Sequence, residues 1–150
     1  MSQLPAQSAG TADPDALYAQ ILGVLTQART HAKRSVNQTM VQAYWQVGRL
    51  IVENEQAGNA RATYGSKTLQ TLALRLSAEL GKGFSLANLR NFRQFFLTFT
   101  EDEIRYPASS ELSWTHYRVL MRVTDPAARQ WYAREAVSQT WSVAALDRQI

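Results

Sequence analysis

Arg90, Asn91 and Gln94 fall close together in the stretch Ser66–Phe99, and all three side chains can hold nucleic acid. Arg matches the paired acceptors on the edge of guanine, Asn and Gln match adenine, and any of them can bind a phosphate. Ser85 and Asn88 come just before them, where a helix N-terminus would offer unpaired N–H groups to an anion. Lys82 and Lys67 add positive charge suited to a phosphate backbone. The chemistry open to these seven residues is binding rather than bond-breaking.

Nothing else in the chain offers a catalytic constellation. The sequence has no cysteine, which removes disulfides, thiolate nucleophiles and the usual zinc sites. Its two histidines, His31 and His116, are far apart and lack the i, i+4 spacing of a metal-binding helix. His116, beside Trp114 and Tyr117, reads as a packed or surface aromatic rather than a general base. The acids are scattered over helix ends and connectors. We therefore expect no cofactor, no metal and no small-molecule substrate. With no basic start followed by an apolar run, and no apolar run near the ~18 residues of a membrane span, a cytoplasmic protein without membrane contact is expected.

The charge is unevenly distributed. Residues 58–99 hold six basic side chains against Glu79 alone, whereas 1–57 balance and 100–150 carry one more acid than base. The excess positive field thus coincides with the candidate binding residues.

These residues need elements to position them. Residues 1–14 read as a disordered lead-in and 15–150 as one all-α domain of about six helices. Asp13-Pro14-Asp15 is a helix start, with a cap, an early proline and an acid at the positive dipole end. Apolar residues then recur at helical spacing from Leu17 to Val52, with Ser35-Val36-Asn37 a candidate kink or junction. At 1.5 Å per residue an unbroken helix here outgrows a small domain, so part of it should project or pair with another chain. Ala57-Gly58-Asn59 should end it, Tyr64-Gly65 should be loop, and Ser66 should cap the next helix. Gly81-Lys82-Gly83 should end that helix and Ser85 should cap another, so that Ser66–Phe99 forms a helix-turn-helix-like unit. Leu89, Phe92, Phe95, Phe96 and Phe99, extended by Leu86 and Leu97, share its apolar arc, while Arg90, Asn91 and Gln94 lie opposite.

Further on, Glu101–Ser110 reads as a polar connector. Ser113, Thr124-Asp125-Pro126 and Ser142 mark three more helix starts, the middle helix packing Ala128, Trp131 and Tyr132. Arg93 falls inside the apolar arc and is expected to pair with Glu135. The four tryptophans read as core rather than as base-stacking platforms.

The segments GKGFSLANLRNFRQFF, LSWTHYRVLMRV, DPAARQWYAREAVSQTWSVAALDRQI and the earlier YWQVGRLI resemble the N-terminal domain of the YhcG-type family over residues 16–150. The resemblance implies a helical, DNA-binding module that precedes a PD-(D/E)XK-type nuclease domain. It implies targeting or assembly and no cutting by these residues, in keeping with the lack of a Glu-X-Lys element. DNA is thus the expected partner, with RNA an open alternative. A rival expectation is a dimerisation or partner-docking module with no nucleic-acid contact, in which a homodimer forms through the N-terminal helices.

Overall fold

The structure, a computed structural model, describes residues 13–57, 64–105 and 111–150, with the backbone alone at 64–67. Seven helices are described: α1 Pro14–Ala57, α2 Tyr64–Leu80, α3 Leu86–Thr98, α4 Glu101–Arg105, α5 Trp114–Leu120, α6 Pro126–Ser138 and α7 Val143–Gln149. No strand occurs among the described residues. The expected all-α class holds.

The chain divides into two compact units, Met1–Ser35 and Val36–Ile150. In the first, residues 1–12 of the lead-in expected at 1–14 lie outside the described residues. Asp13 caps α1: the Asp15 N–H donates to its Oδ1 at 3.0 Å, and Pro14 takes the first helical position, where its missing N–H costs nothing. Every described side chain of this unit is exposed. Ser35-Val36-Asn37 is helical rather than broken, and the boundary between the units falls within it.

The second unit holds the core. Val41, Trp45, Gly48, Ile51 and Val52 of α1 are buried, so this stretch of the N-terminal helix is covered within the chain and is not open to a second copy. Leu89, Phe92 and Phe95 of α3 are almost fully enclosed. Tyr44 stacks on Phe92 with ring centroids 4.4 Å apart and planes 10° apart. Phe95 and Phe99 meet the ring of Tyr117 on α5 at 5.1 Å. The Trp45 indole N–H donates to the Phe99 carbonyl at 2.8 Å, satisfying two buried polar groups at once. Arg129 is buried on α6; its guanidinium donates to the carbonyls of Val123 and Thr98 and lies 5.3 Å from the Phe99 ring centroid.

Four helix starts fall where the sequence places them, with Ser85, Ser113, Asp125 and Ser142 each accepting a backbone N–H. Several expectations need correction. Tyr64, Gly65 and Ser66 are already helical, so Ser66 is not the cap of α2. The Glu101–Ser110 connector begins with a helix, α4, which buries Ile104; residues 106–110 lie outside the described residues, as do Gly58 and Asn59. Trp131 is about half exposed and packs edge-on against Tyr132, while Arg129 and Ala136 are the buried residues of α6. Leu97 is likewise half exposed.

Candidate nucleic-acid interface

The turn between α2 and α3 is built by its glycines and by side chains that bond back to it. Gly81 and Gly83 take φ of 85° and 105°, a region where a Cβ would clash with the backbone. The Ser77 hydroxyl donates to the Phe84 carbonyl at 3.2 Å. The Ser85 hydroxyl accepts the Asn88 N–H at 3.2 Å, and the Asn88 side-chain amide donates to the Gly83 carbonyl at 3.0 Å. Ser85 and Asn88 are therefore occupied in shaping the turn. Phe84 packs beneath it beside Leu86 and Leu89.

α3 is amphipathic. Inward it presents Leu89, Phe92 and Phe95; outward it presents Ala87, Arg90, Gln94 and Leu97, spaced three or four residues apart along one stripe. Arg90 and Gln94 thus share an exposed face, and the Gln94 amide donates to the Thr98 hydroxyl at 3.1 Å. Asn91 sits half-buried at the edge of that stripe. Lys82 is exposed at the turn and lines, with Ser77, Gly81, Gly83 and Ser85, a depression of about 440 Å³. The side chain of Lys67 lies outside the described residues. Of the seven sequence candidates, the structure leaves Lys82, Ser85, Arg90 and Gln94 exposed on α3 and its turn.

The rigid seating of α3 comes from α1. A Cβ built on Gly48 would lie 2.0 Å from the Phe92 carbonyl oxygen, so the two helix backbones touch there. One side of α3 is clamped by an ion pair between Arg93 and Glu55 at 2.7 Å, with side chains 41% and 32% exposed. This replaces the expected Arg93–Glu135 pair. Glu55 lies two helical turns past Gly48, so the face of α1 that receives α3 also carries its anion. The sequence candidates also omitted Arg75, which is exposed on α2; its only sequence signal is its place in the basic stretch.

Among the described residues no three His, Cys, Asp or Glu side chains gather as a metal site. Both ring nitrogens of His116 are engaged: Nδ1 accepts the Ser113 N–H at 3.2 Å, and Nε2 lies 2.9 Å from the Trp141 carbonyl. His116 therefore closes a capping box on α5 and ties it to the segment between α6 and α7. No described helix is long and apolar enough to cross a membrane.

Comparison with known proteins gives two matches. The model of the DUF1016 N-terminal domain covers residues 20–150. The Escherichia coli (strain K12) protein named "Putative nuclease YhcG" is 34% identical over 169 residues, an alignment that takes in 93% of this chain and 45% of that protein. The chain thus spans a little under half the length of that curated relative. No solved structure matches it.

Proposed function

The chain belongs to the DUF1016 N-terminal domain family, and from that premise we propose that it is a DNA-binding module that targets a nuclease, without cutting chemistry of its own. One observation carries it: Arg90 and Gln94 stand exposed on one stripe of a helix whose opposite face is locked into the core, with exposed Lys82 at its leading turn. α2, the glycine turn and α3 act as a helix-turn-helix, α3 approaching a groove. Arg90 and Gln94 contact base edges or phosphates, and Asn91 reaches in from the edge of the stripe. Lys82, Lys67 and Arg75 hold the backbone, and Ser85 and Asn88 shape the turn that presents α3. The nuclease named in the relative supplies the reason to bring such a surface to DNA.

Anisotropy titration of the chain against a labelled duplex, from low to physiological salt, tests this. Affinity should fall steeply with salt, and Arg90→Ala and Lys82→Ala should each lower the slope of log K against log salt by about one if they hold phosphates. Absence of binding at low salt, or binding indifferent to both substitutions, refutes the reading. Parallel RNA titrations decide between the two nucleic acids.

A second reading, self-association, has its own support. Leu17, Tyr18, Ile21, Leu22, Val24 and Leu25 are all exposed on α1, and contiguous apolar surface of this kind marks interaction sites.

A further inference from the structure

In the segment 13–35 the apolar side chains form a stripe that stands exposed among the described residues. Leu17 is 53% exposed, Tyr18 65% and Leu25 56%. At heptad spacing Tyr18, Ile21, Leu25, Ala28 and Ala32 make a seam of the kind that joins two helices. Helical stability in proteins comes mostly from packing of an apolar face rather than from propensity, so a partner on the seam stabilises this segment.

We propose that the occupant is the same segment of a second copy of the chain, running antiparallel with the two-fold axis at Gly23. This rests on the self-association reading and adds the partner, the direction and the register. Two independent features of the segment favour that direction.

The first is side-chain size. The large apolar residues lie between Leu17 and Leu25, whereas the seam beyond them has only Ala28 and Ala32. An antiparallel pair sets Tyr18 against the partner's Ala28 and Ile21 against the partner's Leu25, so the layers have similar volume. A parallel pair would stack Tyr18 on the partner's Tyr18 and Ala28 on the partner's Ala28, swelling one end and hollowing the other.

The second is charge. The segment begins with Asp13 and Asp15 and ends with Arg29 and Lys33. Asp15 and Arg29 flank the same side of the seam, about 40° apart on the helical wheel. Antiparallel pairing at this register brings Asp15 beside the partner's Arg29, twice per dimer. Parallel pairing would gather acids at one end and bases at the other, which disfavours it.

The test uses the whole chain and sedimentation equilibrium, with circular dichroism to verify folding. Wild type should dimerise. Asp15→Arg and Arg29→Asp should each weaken the dimer roughly tenfold, because two attractive contacts become repulsive. The double variant Asp15→Arg/Arg29→Asp should recover most of that loss, since the pair is restored with its signs exchanged. Direction is read separately by oxidation, which is clean because the chain has no cysteine. A mixture of Tyr18→Cys and Ala28→Cys chains should give the mixed disulfide, whereas Tyr18→Cys alone should not cross-link. A chain that stays monomeric overturns the proposal together with self-association. A dimer that cross-links through Tyr18→Cys alone, or a double variant no better than the singles, overturns the antiparallel pairing and leaves self-association standing. None of these outcomes bears on the DNA reading, which is scored on Arg90 and Lys82.

Discussion

Gly23 and Gly48 lie on the same helix, α1, and their surroundings are opposite. A Cβ on Gly48 would press into the Phe92 carbonyl at 2.0 Å, while one on Gly23 would meet nothing within 4 Å. Around Gly48 the helix is held by packing: Val41, Trp45, Ile51 and Val52 are buried with it. Around Gly23 every described side chain from 13 to 35 is exposed, and the helix rests on its backbone hydrogen bonds and local contacts such as the Asp13 cap. One helix thus contains two stability regimes, and the same residue type works in opposite directions in them. At Gly48 glycine permits a contact that no other residue allows; at Gly23 it weakens a helix whose described side chains are all exposed.

Gly48→Ala should break the packed regime. The added methyl faces backbone, which cannot rotate away, so α1 and α3 must separate. We expect a loss of about 3 kcal/mol, the upper part of the range for overpacking, even after the helical preference of alanine is counted. Chemical denaturation monitored at the tryptophans measures it. A loss below about 1 kcal/mol would mean that α3 can ride over the methyl, and that its seating on α1 is softer than the close approach indicates.

Trp45→Phe probes the same regime more gently. The ring still fills most of the space beside Phe96, but the N–H that satisfied the Phe99 carbonyl is gone. An orphaned buried acceptor costs about 1–2 kcal/mol, so stability should fall by that amount while the fold persists. The effect should appear at the α3 C-terminus in amide exchange, with residues 13–35 unchanged. Slower or faster exchange in residues 13–35 would show that the two regimes are coupled.

The sequence made much of this architecture readable because capping is local. Ser85, Ser113, Asp125 and Ser142 each bond a backbone N–H within three residues, so residue type and position suffice. α4 carries the same kind of local signal at its start. Thr100 and Glu103 form a reciprocal capping box, with bonds of 3.2 and 2.8 Å, in a stretch whose acidity reads as loop. Long-range choices were not readable. Arg93 reads as a partner of Glu135, and only the packing of α3 on α1 brings Glu55 to it instead. Nor could periodicity tell that the Val41–Val52 face is buried while the Leu17–Leu25 stripe stands exposed among the described residues, because the cover comes from residues far along the chain, Phe95, Phe99 and Ile104 among them. At the candidate interface the outward stripe of Arg90 and Gln94 was legible from the helical wheel. That Asn88 spends its amide on Gly83 was not, since it depends on the left-handed turn.

Gly23→Ala sharpens the unpacked regime and should have the smallest effect on the whole protein. On the helical wheel position 23 points away from the Leu17–Leu25 stripe, and the space at its Cβ is open. The substitution therefore adds no contact and removes none; it narrows the unfolded ensemble and favours the helix by about 1 kcal/mol. Because the segment opens locally, that gain should appear as roughly fivefold slower amide exchange in residues 16–35, with little change in the global denaturation midpoint. Self-association should be unchanged or modestly tighter, since the seam is untouched and less order is left to impose on binding. A weaker dimer would place residue 23 inside the contact and move the seam to the other side of α1. Unchanged exchange would mean that the segment already has support beyond its own helix, and the contrast with Gly48 would then be one of partner identity rather than of packing against no packing.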